Sequence, residues 1–235
     1  NVKYLGILID SHLSWRNHID YISSKISKTV GFFAKLRHSV PQHTLITLYW
    51  SLIHPYLNYG IIAWRQASKL YLNKLLLLQK RVIRFIFFAK QRDSAIPLFI
   101  KSNVPPVNLM YCQSVANLVH DVVNENCPKN ILKLFPSIED IHSYETRSAF
   151  DNKLYTQSSR LKMQLNSFSR IGVRLWNSIP SSVRERSKFT FKKIIRNELF
   201  SMLQSEECYL GVERVAQLFL NGPNNCSSDQ NLKIS

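Results

Sequence analysis

The sequence predicts a mainly α fold, a bundle of helices with a short β-strand or hairpin at the amino terminus. Two observations predict this class. In several long segments the apolar residues recur at intervals of three and four, which is the period of an amphipathic helix. The segment with the composition of a strand is short, and it opens the chain. At 235 residues, the chain is long enough to bury a substantial core around such a bundle.

The β element is predicted over residues 2–10, a short run rich in branched and aromatic side chains. The chain begins with Asn1 rather than Met, and the β element follows immediately. We therefore expect a piece of a longer protein or a processed product, in which the pairing partner of this element lies partly outside the chain.

Five helices are predicted from the apolar periodicity, over about residues 16–37, 41–53, 69–89, 107–124 and 188–204. Pro41 suits the first turn of the second helix, and Pro55 should end or kink that helix. Residues 126–169 are rich in Ser, Asn and Pro, which favours loops with short helices. Trp176 precedes a turn at Pro180, and we expect it to be a core side chain.

These elements divide the chain into four predicted parts, residues 1–15, 16–125, 126–205 and 206–235. The first part is the β element, the second is the main helical domain, and the third is a region of helices and loops. The last part is small and polar in composition, so we expect it to be partly disordered.

Charge is unevenly distributed along the chain. There are 31 Lys and Arg residues against 15 Asp and Glu, a net charge of +16, yet only 20% of the residues are charged, so the imbalance reflects scarce acids. Residues 21–92 contain 12 basic residues and no acidic one, and residues 152–184 contain six basic residues and no acidic one. A surplus of this size repels itself unless the protein meets a polyanion, so the composition indicates a nucleic-acid partner.

Two of the predicted helices carry basic stripes. In the third helix, steps of about 100° per residue place the apolar residues, Leu78 and Phe85 among them, on one half. The cations within one third of the turn on the other side are Lys74, Lys80, Arg81 and Arg84. The cations on a separate stripe of the first helix are Lys25, Lys28 and Lys35. Solvated helix faces usually mix signs, so we predict that these seven side chains contact phosphates, with no acid nearby to neutralise them; the alternative is a merely solvated face.

Aromatic residues are interleaved with these bases, and bases with aromatics are typical of surfaces that grip single strands or hybrid duplexes. The aromatic residues are Tyr49, Trp50, Tyr56, Tyr59, Trp64 and Tyr71. We nevertheless expect most of them to belong to the core.

The sequence predicts neither a catalytic site nor a metal site. Two-metal phosphoryl transfer needs converging carboxylates, and the candidates are Asp10, Asp20 and the adjacent Glu139 and Asp140. Asp10 has no partner carboxylate and is interpreted as a turn cap, and Glu139 with Asp140 is interpreted as a helix cap. The six glycines form no phosphate-binding loop. Widely spaced cysteines, with no signal peptide and no bilayer-spanning run, predict an intracellular protein of the cytoplasm and/or nucleus.

Five runs of residues occur in a characteristic order. They are KYLG at 3–6 with Asp10 and LSW at 13–15, YWSLIHPYLNYG at 49–60 with Trp64, LQKRVIR at 78–84, TRS at 146–148 after His142 and Tyr144, and LWNSIP at 175–180 after Gly172 and before FKK at 191–193. In order and spacing they resemble the carboxy-terminal part of reverse transcriptases from LINE-type (non-LTR) retrotransposons, especially the jockey-like group, over about residues 1–203. The tail after residue 206 departs from that pattern.

The resemblance implies that residues 1–15 are the end of a palm and that residues 16–125 form a helical, thumb-like domain. In the family, the catalytic aspartates and their Mg²⁺ lie upstream of the matched part, so no cofactor is expected here. The implied function is non-sequence-specific binding of template–primer, with RNA and DNA as an RNA–DNA hybrid, and with no membrane partner. Two alternatives stay open: a free-standing nucleic-acid-binding or interaction protein derived from such an element, and a decayed copy without function. The oligomeric state is not specified.

Overall fold

The computed structural model describes residues 1–138, 141, 153–156 and 167–204. It confirms the mainly α class with a two-stranded hairpin at the amino end. The chain divides into two compact units, Asn1–Tyr111 and Cys112–Ser235. The tail predicted over residues 206–235 lies outside the described residues, and the four-part division stays a prediction. None of the helices in the described part is both long and apolar enough to cross a membrane.

The residues predicted as one β element fold back on themselves. Strand β1, Val2–Tyr4, pairs antiparallel with strand β2, Ile7–Ile9. The two turn residues between them, Leu5 and Gly6, both have positive φ angles, 46° and 83°. This is the backbone of a tight hairpin whose twist matches that of its strands. One pairing partner of the predicted strand is thus the adjacent strand of the same hairpin.

Six helices follow within the first unit, and a seventh begins there. They are α1 Arg16–Leu36, α2 Gln42–Leu52, α3 His54–Asn58, α4 Ile61–Trp64, α5 Lys69–Ile86, α6 Ile96–Ser102 and α7 Val107–Val123. The predicted helices corresponding to α1, α2, α5 and α7 are confirmed. Pro55 acts as predicted, because α2 ends before it and it lies in the first turn of α3. Helices α3, α4 and α6 were not predicted, since a segment so short shows no apolar period.

The hairpin is fixed to the helices by the two residues that follow α3. The Tyr59 hydroxyl donates a hydrogen bond to the carbonyl oxygen of Leu5 at 2.6 Å. Gly60 has a φ of +63°, and a Cβ atom there would lie 2.5 Å from Cδ1 of Ile7. Both the backbone angle and the space therefore require glycine at this position.

Asp10 shapes the start of α1. One carboxylate oxygen accepts hydrogen bonds from the N–H groups of Ser14 at 2.9 Å and His12 at 3.1 Å. The other accepts from the N–H of Trp15 at 2.9 Å and from the Ser14 hydroxyl at 3.1 Å. These bonds, that of the Ser14 N–H above all, hold the pKa of Asp10 below its ordinary value. Helix α1 begins at Arg16, directly after Trp15. Asp10 therefore caps a turn at the helix entrance, as predicted.

Gln79 is completely buried in α5 and links three segments of the first unit. Its Nε2 donates to the hydroxyl of Tyr49 on α2 at 2.7 Å and to the carbonyl oxygen of Pro105 at 2.9 Å. Its Oε1 accepts from the N–H of Val107, the first residue of α7, at 2.9 Å. That N–H has no partner within its own helix, so a single side-chain amide satisfies it and joins α5 to α2 and α7. Burial raises the pKa of Tyr49, which keeps its hydroxyl neutral.

The described part of the second unit holds the rest of α7 and four further helices. They are α8 Lys129–Leu132, α9 Phe168–Ser178, α10 Ser181–Arg184 and α11 Lys188–Gln204. Helix α11 was predicted with these bounds, whereas α9 was not, because Gly172 interrupts its pattern. A Cβ atom at residue 172 would lie 2.8 Å from Val119 Cγ2 and 2.9 Å from Phe135 Cε1, so the glycine allows α9 to lie close to α7.

Trp176 on α9 is a core side chain, which confirms the prediction. It is 2% exposed, and its ring centroid lies 6.0 Å from that of Phe191 and 6.2 Å from that of His120. The next residue, Asn177, forms two hydrogen bonds of 2.9 Å with the backbone N–H and C=O of Leu154. Adjacent residues of α9 therefore fill the core and hold a neighbouring extended segment.

The Gln79→Met variant should lower the free energy of unfolding by at least about 3 kcal/mol, because three buried polar groups lose their partner at roughly 1–3 kcal/mol each. Urea unfolding followed by circular dichroism measures the change. Gln66→Met is the matched control, since Gln66 is exposed and such surface changes usually stay within about 0.5 kcal/mol. A loss for Gln79→Met no larger than that of the control would contradict the assigned role.

The stabilisation by Asp10 should depend on pH. Because its pKa is lowered from 3.8 on folding, the stabilisation is fully present above that value and is lost as the pH falls through the lower, folded-state pKa. The melting temperature of Asp10→Asn should therefore lie below that of the wild type at neutral pH, and the gap should narrow in strong acid. Glu185→Gln, an exposed acid in the second unit, controls for net charge. A gap that stays constant with pH would show that the carboxylate charge is not what stabilises the turn.

Candidate nucleic-acid interface

Helices α1 and α5 pack side by side and run in the same direction. At their starts, the guanidinium of Arg16 lies 6.0 Å from the ring centre of Tyr71. One turn further along each helix, Asp20 and Lys74 form an ion pair of 3.0 Å. Beyond the end of α1, Arg37 lies 5.7 Å from the ring centre of a phenylalanine near the end of α5. The solvent-facing sides of these two packed helices together make up one candidate surface.

This surface, which we call the basic face, carries the seven cations predicted from the sequence. On α1, all three lysines are exposed as expected: Lys25, Lys28 and Lys35. On α5, Lys74 and Arg81 are exposed, whereas Lys80 and Arg84 are half-buried. Both predicted stripes thus lie on helices that pack against each other, and five of their seven cations are exposed. Whether they contact phosphate stays a prediction.

The expectation that no acid neutralises the α5 stripe was wrong for Lys74. Its partner Asp20 lies one residue before the acid-free segment 21–92, and the packing of α1 on α5 brings the two together. Arg16 also approaches Asp20, at 3.8 Å. Both partners of the Lys74–Asp20 pair are nearly half exposed, and exposed pairs contribute only about 0–1 kcal/mol. The pair therefore orients Lys74 without removing it from solvent.

Arg84 is also held, by the turn that follows α5. Its Nε and Nη2 atoms donate to the backbone carbonyl of Asp93 at 3.0 and 2.9 Å. The Asp93 carboxylate accepts from the N–H of Lys90 at 2.7 Å, which closes the turn. Burial, and then the charge of Arg84, lowers the pKa of Lys80. The like charges of Lys80 and Arg84 are thus close enough to repel, and an anion bound there would relieve the repulsion.

The first unit has few acids, and all of them serve the fold. Residues 1–111 contain 15 Lys and Arg and three Asp and Glu, a net charge of +12 out of the +16 of the whole chain. The three acids are Asp10 at the entrance of α1, Asp20 at the α1–α5 seam and Asp93 in the turn after α5. The positive charge of the basic face is therefore largely uncompensated within its own unit.

The interleaved aromatic residues do not share one environment. Tyr49 and Trp64 are fully buried, as expected for core residues. Trp50 and Tyr71 are half-buried, and the ring of Tyr71 lies between Arg16 and Lys74. Tyr56 and Tyr59 are 40% and 55% exposed, so these two are the exceptions to an expectation that was made for most of the group.

Sequence reasoning missed a group of functional candidates at the common end of α1 and α5. Phe88 is 51% exposed and was not considered, and Phe85 was placed on the apolar half, although it is only half-buried. The available signal was the pair Phe85 and Phe88, which lie on either side of Ile86, the last residue of α5, with Arg81 four residues before the first of them. Only the packing of α1 on α5 shows that these residues meet.

The described carboxylates do not fit a Mg²⁺ site. No group of three or more His, Cys, Asp or Glu side chains with metal-binding geometry occurs among residues 1–138, 141, 153–156 and 167–204. The oxygens of Asp10 accept hydrogen bonds from the backbone, and Asp20 is paired with Lys74. Glu139 and Asp140, the remaining candidates, lie outside the described residues.

Two known polymerases are similar to part of the chain. The RNA-directed DNA polymerase from the mobile element jockey of Drosophila melanogaster is 32% identical over 98 residues, which is 39% of this chain and 11% of that polymerase. The jockey polymerase of Drosophila funebris is 28% identical over 99 residues, with the same two shares. No family model matches the chain, and no solved structure matches it. The similar part is thus about a tenth of each polymerase, and it agrees with the family suggested by the five runs: over this part, the chain is related to the reverse transcriptases of jockey-like LINE retrotransposons.

Proposed function

We propose that the chain binds template–primer nucleic acid, an RNA–DNA hybrid, without sequence specificity, as the non-catalytic carboxy-terminal part of a retrotransposon reverse transcriptase. The observation that carries the proposal is the basic face on a unit of net charge +12. Relationship to RNA-directed DNA polymerases supports it, because such enzymes handle both nucleic acids. In this proposal, DNA synthesis and its Mg²⁺ ions belong to a palm domain upstream.

The chemistry of the basic face suits a phosphate backbone. Lysine ammonium groups are compact charges on flexible stems, and Lys25, Lys28 and Lys35 present three of them on one exposed stripe. Contacts to phosphate position a protein on a duplex but carry no base information. A polymerase must hold a moving duplex of any sequence, so this type of contact fits the proposed function better than contacts to base edges.

Binding should depend strongly on salt, and the α1 lysines should carry part of that dependence. Each neutralised phosphate on a duplex changes log affinity by about 0.9 per unit of log salt. Changing Lys25, Lys28 and Lys35 together to Gln should therefore reduce the slope by up to about 3 units. Fluorescence anisotropy with an RNA–DNA hybrid at several salt concentrations measures it. Two hybrids of unrelated sequence should show the same change.

A control variant removes three exposed lysines from the second unit, Lys129, Lys133 and Lys193, also to Gln. It lowers the net charge equally, so it separates a local contact from a general effect of charge. The α1 lysines are preferred to Lys80 and Arg84, because Arg84 also holds the turn at Asp93. Equal slopes for the α1 variant and the wild type, with both folded, would remove these lysines from the interface.

The purified chain should not extend a primer. Two-metal transfer of a nucleotide needs converging carboxylates, and the three carboxylates of the first unit are each engaged in the fold. Incubation with a primed RNA template, deoxynucleotides and Mg²⁺, followed by gel electrophoresis, tests this. The Asp10→Asn variant is run in parallel, because activity that persists in both preparations would indicate a contaminating polymerase. Extension by the wild type that Asp10→Asn abolishes would refute the non-catalytic assignment.

A further inference from the structure

A group of aromatic and basic side chains lies where α1 and α5 end side by side. We call it the aromatic–basic cluster; its members are Arg37, His38, Arg81, Phe85 and Phe88. The guanidinium carbon of Arg37 lies 4.8 Å from the ring centre of Phe88 and 5.7 Å from that of Phe85. Arg81 approaches the ring of Phe85 at 5.6 Å, and the ring of His38 meets Phe88 edge-on at 5.5 Å. Arg37 Nε also donates to His38 Nε2 at 3.1 Å, so the basic groups are held in place by the rings and by one another.

The backbone at Phe88 adopts a conformation that usually belongs to glycine. Helix α5 ends at Ile86, and Phe88 follows with a φ of +54°. Left-handed residues just after a helix are commonly Gly and sometimes Asn, as Asn103 is after α6 with a φ of +52°. A bulky side chain in this region costs free energy, and such residues concentrate at functional sites. Burial does not offset that cost in full, because the Phe88 ring is 51% exposed.

The surroundings of the exposed ring match the chemistry of a nucleotide. A nucleobase stacks on an aromatic face, and the phosphates on either side of it are attracted by cations. Arg37 lies beside Phe88 and Arg81 beside the neighbouring Phe85, and the segment 21–92 that contains them has no acidic residue. Arginine groups already oriented by rings lose less freedom when they bind a phosphate than unrestrained side chains do.

We propose that the aromatic–basic cluster binds an unpaired nucleotide of a single strand, with the base stacked on Phe88 and the neighbouring phosphates against Arg37 and Arg81. The inference rests on the proposed function and deepens it. The cluster lies at one end of the α1–α5 pair, so a duplex held along the basic face would present its single-stranded extension there. The strand is recognised through stacking and charge, which tolerate any base.

The test compares a blunt RNA–DNA hybrid with the same hybrid carrying a short single-stranded template overhang. The variant is Phe88→Gly, which removes the ring but suits the positive φ, so the melting temperature should hold or rise. We expect the affinity for the overhang substrate to fall by about 5- to 100-fold, the range for losing one stacked base, and the affinity for the blunt hybrid to stay unchanged. Phe88→Trp should retain overhang binding, and Phe189→Ala, which removes an exposed ring of the second unit, should have no effect.

An overhang of abasic sites separates stacking from contacts to phosphate. The wild type should bind the abasic overhang as weakly as Phe88→Gly binds the normal one, and Phe88→Gly should cause no further loss on the abasic substrate. Two outcomes would overturn the stacking site. Phe88→Gly could lower the affinity for the blunt and overhang substrates equally, or it could lower the affinity for the abasic overhang as much as that for the normal overhang. Failure of the wild type to bind blunt hybrid would instead overturn the proposed function, because that measurement does not involve the overhang.

Discussion

The buried amide of Gln79 is the constraint on which the geometry of the first unit depends. An amphipathic helix can rotate slightly about its axis and still bury most of its apolar side chains. The three hydrogen bonds of Gln79 remove that freedom, because they require α5 to face Tyr49 on one side and Pro105 and Val107 on the other. Because the inner side of α5 is fixed in this way, its outer side is fixed too. The buried Gln79 therefore determines how the α5 part of the basic face is oriented.

Each acid of the first unit also has a structural role. Asp10, Asp20 and Asp93 cap a turn, join two helices and close a loop, and the unit has no further acid. Fifteen bases against three acids repel one another, and this self-repulsion opposes the compact state. A folded unit that tolerates the repulsion is suited to a polyanionic ligand, since binding converts the unfavourable charge into attraction. The acids that remain are those that the fold itself uses.

The sequence predicted the parts of this structure that depend on local periodicity. The apolar stripes of α1 and α5 defined two helices and showed that the three lysines of α1 would be exposed. The period could not show pairings between residues far apart in the chain, such as Lys74 with Asp20 or Gln79 with Tyr49. It also misplaced the buried stripe of α5, which includes Leu76 and Gln79 but leaves Leu78 and Phe85 only half-buried.

The candidate site, too, was predictable only where it depends on local sequence. Counting charges identified α1 and α5 as basic, yet the aromatic–basic cluster depends on the left-handed turn at Phe88 and on the parallel packing of the two helices. A polar residue hidden in an apolar stripe, and an aromatic residue in a conformation typical of glycine, are both exceptions to local rules. Such exceptions arise where tertiary structure or function overrides local preference, so they become visible only once the neighbouring elements are in place.

The two helices of the basic face hold their cations differently, and the difference fits two separate roles in binding. On α1, Lys25 lies 5.6 Å from the ring centre of Tyr21, and Lys28 and Lys35 are exposed. A flexible ammonium group on such a stripe can follow a phosphate backbone as the duplex moves. The arginines of α5 are restrained, Arg84 by the Asp93 carbonyl and Arg81 by the ring of Phe85. A restrained guanidinium loses little entropy on binding but accepts few geometries. In the proposed complex, α1 would therefore supply affinity that is independent of position, and α5 would fix where the duplex ends.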